Sequence, residues 1–142
     1  MWRVVLDTNL FVSSVLVKRG LPAQAMQAWR ERKFVLLVSP AIVAEIRHTL
    51  NYDRIRRKYR ITDEDIADLI LLLQKNGLLV DGLADTSGVI LDDPDDERIL
   101  ACAIDGRADF IVSGDRHLLD LESYADIPII TVRDFLARLE EL

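Results

Sequence analysis

Val4-Val5-Leu6 opens the chain as an unbroken apolar run. Similar runs recur along it, separated by stretches in which apolar residues return every three or four positions. Continuous runs of this kind read as strands buried on both faces, and the three-to-four spacing reads as amphipathic helix. Residues 2–6 are therefore a predicted strand, and residues 8–17 and 23–32 predicted helices, with Gly20-Leu21-Pro22 a break whose Pro22 opens the second helix. Phe34 to Val38 is a second strand. Pro40 to Leu50 is a helix in which Ile42, Ile46 and Leu50 form an i, i+4, i+8 stripe, and Tyr52 to Tyr59 is another helix. Thr62 is a candidate N-cap, with Asp63, Glu64 and Asp65 in the first turn of a helix that runs to Lys75 and stops at Gly77. There follow a short strand at Leu78 to Val80, an acidic loop to Asp93, a helix over 94–105 ended by Gly106, and a strand at Asp109 to Ser113. A brief helix over 115–121, a strand at Pro128 to Thr131 and a helix at Val132 to Glu141 complete the chain.

Strands alternating with helices imply right-handed crossovers and a parallel sheet covered on both faces. No internal repeat, low-complexity tract or linker interrupts the 142 residues, which suits one domain over 1–142 with one sizeable core. The three helices between the second and third strands exceed what one crossover needs, so they form a candidate arm facing a substrate or a second subunit.

Composition narrows the chemistry. No apolar run is long enough for a membrane span, and the start lacks the pattern of a secretory leader. The lone cysteine, Cys102, sits in the apolar segment Ile99-Leu100-Ala101-Cys102-Ala103 and reads as a small core residue, which fits a reducing cytoplasm. Two histidines, His48 and His117, are too few for a His-rich zinc site. The net charge of −6 argues against a nucleic-acid partner until its distribution is considered. Arg47 to Arg60 carries six basic residues against Asp53 alone, whereas Asp81 to Glu97 carries seven acids and no base. A basic stripe beside an acidic pocket is the layout expected where metal ions and a polyanion meet; a solvated helix face is the plainer reading of the stripe.

Four acids occupy matched places. Asp7 follows the first strand directly, and Asp115 follows Ser113-Gly114 at the end of a later one. Ligands of open α/β sheets bind beyond the carboxyl ends of parallel strands. Carboxylates gathered there repel one another unless a divalent cation neutralises them. Asp96 continues the apolar face of Ile99, Leu100, Ala103 and Ile104, and an acid aimed at a core needs a partner. Glu45 lies about 60° around its helix from Ile42, at the edge of the apolar stripe. Each acid has a structural alternative: Asp7, Asp115 and Asp93 are all placed to N-cap helices, with Pro94 as the first helical residue and Asp96 in its first turn. Ser113 is placed to hydrogen-bond a neighbouring carboxylate.

In their order and spacing these segments resemble the PIN-domain family of metal-dependent ribonucleases, particularly the VapC-like toxin components of toxin–antitoxin systems. The resemblance spans the chain. It is carried by Val4-Val5-Leu6-Asp7-Thr8-Asn9, Glu45, Asp93-Pro94-Asp95-Asp96-Glu97 with Ile99 to Ala103, and Ile111-Val112-Ser113-Gly114-Asp115 with Leu118-Leu119. Pro128 to Thr131 and Phe135-Leu136 extend it. It implies a three-layer α/β/α sandwich around a parallel sheet of about five strands, commonly dimeric, and hydrolysis of RNA phosphodiester bonds with Mg²⁺ or Mn²⁺. It also implies a catalytic quartet of Asp7, Glu45, Asp96 and Asp115. Of these, Asp7, Asp96 and Asp115 would be metal ligands and Glu45 would position the attacking water, with Asn9, Ser113 and Asp93 in support. Asp92 and Asp93 lie close enough to share the role of Asp96. The stripe Arg54, Arg56, Arg57, Lys58 and Arg60 is a candidate hold on RNA phosphates, and a cognate antitoxin is the implied partner.

Two alternatives stand beside this reading. A haloacid-dehalogenase-type phosphatase also starts with a strand ending in aspartate, and Gly114-Asp115-Arg116-His117-Leu118-Leu119-Asp120 imitates its late acidic motif. That chemistry needs an acid two residues after the first aspartate to protonate the leaving group, and Asn9 stands there. The other alternative is a PIN module that binds RNA or a partner without cutting, which loss of one of the quartet acids would have favoured.

Overall fold

The computed structural model describes residues 1–86 and 94–142, with side chains in the second stretch from Asp96 onward. Asp92 and Asp93, the end of the acidic loop and the proposed Asp93 cap lie outside the described residues. The first strand, β1 (Arg3–Leu6), leads into α1 (Thr8–Leu16) and α2 (Leu21–Arg30). Pro22 lies within the first turn of α2, where a missing N–H costs nothing, so the helix begins two residues before the predicted start. Next come β2 (Val35–Val38), α3 (Pro40–Leu50), α4 (Asp53–Tyr59) and α5 (Asp63–Asn76), then β3 (Leu78–Leu79). The Thr62 hydroxyl accepts the Asp65 N–H at 3.0 Å while the Asp65 carboxylate accepts the Thr62 N–H at 2.9 Å, a reciprocal cap that sets the start of α5.

Beyond α6 (Pro94–Gly106), β4 (Phe110–Val112) and α7 (Arg116–Leu119), the chain forms β5 (Ser123–Tyr124), β6 (Ile127–Ile130) and α8 (Val132–Glu140). Among the described residues the sheet has six strands in the order β3-β2-β1-β4-β6-β5, one more than expected. The extra strand, β5, pairs antiparallel with β6; all other pairings are parallel. Ala125 and Asp126, at φ 50° and 66°, make the two-residue turn between β5 and β6. That is the left-handed geometry tight hairpins require, here adopted without glycine or asparagine.

The core lies against the sheet and includes Phe11, Phe34 and Phe135, the last two edge-to-face at 4.9 Å. The stripe of Ile42, Ile46 and Leu50 is fully buried. Gly106 does not end α6 as a left-handed stop. It is helical, Arg107 takes φ 53°, and a Cβ on Gly106 would come within 2.6 Å of the Leu37 side chain. Among the described residues, no helix is long and apolar enough to cross a membrane.

The strand order locates the site. Val4 pairs with Leu36 on one side and Phe110 on the other, and Leu6 pairs with Val112. The chain leaves β1 toward β2 and later returns to its opposite flank as β4. The carboxyl ends of β1 and β4 thus meet where the winding direction reverses, the crevice in which such sheets hold ligands.

Candidate metal centre

Asp7 and Ser113 come out of this seam side by side. The Asp7 N–H donates to the Val112 carbonyl at 2.9 Å and the Ser113 N–H to the Ile130 carbonyl at 3.0 Å, so the sheet ladder continues into both residues. Asp7 occupies the N-cap position of α1, but its side chain makes no capping hydrogen bond. Instead Asp7 Oδ2 accepts a 2.7 Å hydrogen bond from the Ser113 hydroxyl. Asp7 is 5% exposed and Ser113 fully buried. Burial pushes the Asp7 carboxyl above its usual value, and the negative charge of Asp115 adds to this; the Ser113 hydroxyl and the amides of Asn9 and Thr8 pull the other way.

Asp96 arrives from the first turn of α6. Ile99, Leu100 and Ala103 anchor that helix in the core, and Asp96 on the same face is likewise only 5% exposed. Asp115 does cap: its Oδ1 accepts the His117 N–H at 2.9 Å at the start of α7, while its own N–H donates to Ser113 Oγ at 2.9 Å. The capping and site readings of Asp115 therefore hold together. One carboxylate oxygen from each of Asp7, Asp96 and Asp115 lies within 4.8 Å of the others, in a grouping able to hold a metal ion. An all-oxygen donor set of three carboxylates suits a hard divalent cation. The burial of Asp7 and its repulsion by Asp115 are what such a cation relieves, so these residues fit the implied metal.

Glu45 stands apart from that trio. It projects half-buried from α3, a helix that packs on both α1 and α6. Its Oε2 accepts a 3.1 Å hydrogen bond from the hydroxyl of Thr8. Thr8 is 2% exposed. Its sequence context suggests no more than a helix cap, and its position directly after a strand-ending aspartate is the one signal that points to the site. Asn9 is exposed, and what it contributes to Asp7 is its backbone amide.

The basic stripe divides. Arg56 is engaged at the α4–α5 corner, with Nη2 2.7 Å from Asp63 Oδ1 and Nε donating to the Ile61 carbonyl at 3.3 Å. Arg54, Arg57, Lys58 and Arg60 are exposed. Arg60 also lines a groove of about 880 Å³ among α1, α2, α4 and α5, and none of the quartet acids lines it. Concavity alone does not mark the acidic site.

A parallel α/β sheet with carboxylates gathered at its winding reversal defines the class of protein. Residues 3–117 match the family model of the PIN domain, and the chain belongs to that family. Membership removes the phosphatase alternative. The chain is similar to the uncharacterised protein MJ1680 of Methanocaldococcus jannaschii, at 27% identity over 119 residues, 84% of this chain and 74% of that protein. Among solved structures, it resembles VapBC2 from Rickettsia felis bound to a DNA fragment from their promoter, at TM-score 0.61 and 14% identity, covering 91% of this chain and 98% of that one. It also resembles FitAcB from Neisseria gonorrhoeae, at TM-score 0.54 and 16% identity, covering 92% and 98%. At these identities the structural likenesses bear on the fold.

Proposed function

We propose that this protein is a Mg²⁺- or Mn²⁺-dependent endoribonuclease, the toxin component of a toxin–antitoxin pair, acting as a single PIN-like domain and as a homodimer. The observation that carries the nuclease reading is the convergence of Asp7, Asp96 and Asp115 from three separate elements at the carboxyl ends of the central strands. The toxin reading is supported by the resemblance to the VapC-like group and by the likeness in fold to VapBC2. A cognate antitoxin is the partner this reading requires.

When bound, the divalent ion supplies Lewis acidity at the scissile phosphate and lowers the pKa of water. Asp7 and Asp96 would be its principal ligands and Asp115 would complete the set. Ser113 holds the Asp7 carboxylate in place beside Asp96 and Asp115. Glu45 orients the attacking water and takes its proton as the water oxygen bonds to phosphorus and the bond to the 3′ oxygen breaks, the departing 3′ oxygen taking a proton from solvent. Arg54, Arg57, Lys58 and Arg60 hold the backbone of the RNA through phosphates, with an affinity that falls as salt rises.

The test is incubation of purified protein with mixed RNA in Mg²⁺, in Mn²⁺ and in EDTA, beside Asp7→Asn and Asp96→Asn. Cleavage that needs both the metal and the two aspartates is expected. Near-normal rates in either variant would sink the ligand assignment, and RNA left intact by metal-loaded wild-type protein would favour a module that binds without cutting.

A further inference from the structure

We propose that Thr8 is a positioning residue for Glu45, its hydroxyl holding the carboxylate against the start of α1, one residue from Asp7; the catalytic part of this rests on the nuclease reading above. Thr8 is the first residue of α1, directly after Asp7, and is 2% exposed. Its side-chain oxygen donates to Glu45 Oε2 at 3.1 Å across 37 positions of sequence. Its backbone amide lies at the Asp7 carboxylate and lowers that group's pKa. Thr8 thus adjoins Asp7 in the chain and binds Glu45 through its side chain, linking the start of α1 to α3.

The arrangement answers a need particular to Glu45. The trio is formed by short aspartates at element ends, whereas Glu45 is a longer side chain on a helix face, with an extra torsion to order. A group that must orient water has to be held close to its productive geometry. Threonine suits this role because its branched β-carbon leaves few χ1 rotamers, so little freedom is lost when its hydroxyl is aimed at Glu45. A buried hydroxyl also requires a hydrogen-bond partner, and Glu45 supplies the acceptor.

The experiment pairs Thr8→Val, which keeps the shape and removes the hydroxyl, with Thr8→Ser, which keeps the hydroxyl. In metal-free protein carrying ¹³C-labelled glutamate carboxyls, the seven glutamates give few enough signals to find Glu45 by its loss in Glu45→Gln. The Glu45 signal is expected to move in Thr8→Val and to return near its wild-type place in Thr8→Ser. The other six signals, unmoved, report an intact fold. With RNA and Mn²⁺, Thr8→Val is expected to lower kcat about tenfold at unchanged KM, less than the roughly hundredfold of a 1 Å misplacement. Thr8→Ser should recover most of that loss, and Thr8→Val should cost nothing further in a Glu45→Gln background. A Glu45 signal indifferent to Thr8→Val, or losses that multiply in the double variant, would overturn the assignment. Wild-type protein inert on every RNA overturns the nuclease reading instead, and the NMR arm still decides whether Thr8 holds Glu45.

Discussion

The Ser113 hydroxyl donates to Asp7 Oδ2 at 2.7 Å, and Ser113 Oγ in turn accepts the Asp115 N–H at 2.9 Å. One fully buried serine thereby joins the carboxyl ends of β1 and β4 and orients two of the three clustered acids. Ser113→Ala leaves a desolvated carboxylate and a main-chain N–H each short of a partner. We expect a loss of about 1–3 kcal/mol in unfolding free energy together with weaker Mn²⁺ binding, measured by denaturant titration and calorimetry. Unchanged stability and unchanged metal affinity would show the bond to be idle.

Asp7 makes metal-free stability depend on pH. Its carboxyl is raised in the folded protein, chiefly by burial, so the folded state binds this proton more tightly than the unfolded chain. This contribution is most favourable below the unfolded value of about 3.9 and declines as pH rises through the folded value. Asp7→Asn removes the cost of the charge. In EDTA at neutral pH its Tm should exceed that of wild type, and the gain should shrink toward pH 4. Thermal melts across that range decide; parallel curves would contradict the assignment.

The basic stripe should separate by function. Arg56→Ala weakens the corner joining α4 to α5 by up to about 1 kcal/mol, because its Asp63 partner is well exposed and the pair is screened. Replacing Arg54, Arg57 and Lys58 with glutamine should leave Tm unchanged, reduce RNA binding and flatten its salt dependence. Fluorescence anisotropy at several salt concentrations, read beside the melts, tests this. RNA affinity insensitive to the triple change would remove the stripe from the RNA surface.

Gly106 and Arg107 make opposite predictions. Gly106→Ala drives a methyl into Leu37 and should destabilise by about 1–3 kcal/mol, as overpacking does. Arg107→Gly relieves a left-handed residue at φ 53° and should be neutral or stabilising, by up to about 1 kcal/mol. Denaturant midpoints of the two variants decide.

Cys102 should be chemically silent. It is fully buried, and burial pushes its thiol up to about 12, with the charge of Asp105 adding to the effect. A thiol reagent should leave native protein unmodified at pH 8 and label it only after denaturation; rapid native labelling would show the core to be open there.

The sequence by itself determined the alternation of buried strands and amphipathic helices, the limits of α3, the Thr62 cap and the placing of Asp7, Asp96 and Asp115. These depend on local propensity, or on periodicity that aims a side chain inward, and both are legible along one dimension. Only the tertiary structure decided that Asp7 accepts from Ser113 instead of capping α1, and that Thr8 reaches Glu45 while Glu45 stays outside the trio. It likewise decided that Arg56 is spent on Asp63, and that Gly106 exists for Leu37. Each of these depends on which distant element comes alongside, and sheet order and helix packing set that. The β5–β6 hairpin escaped for a related reason: Ala125 and Asp126 carry no local preference strong enough to announce left-handed backbone, and the pairing of the flanking residues holds them there.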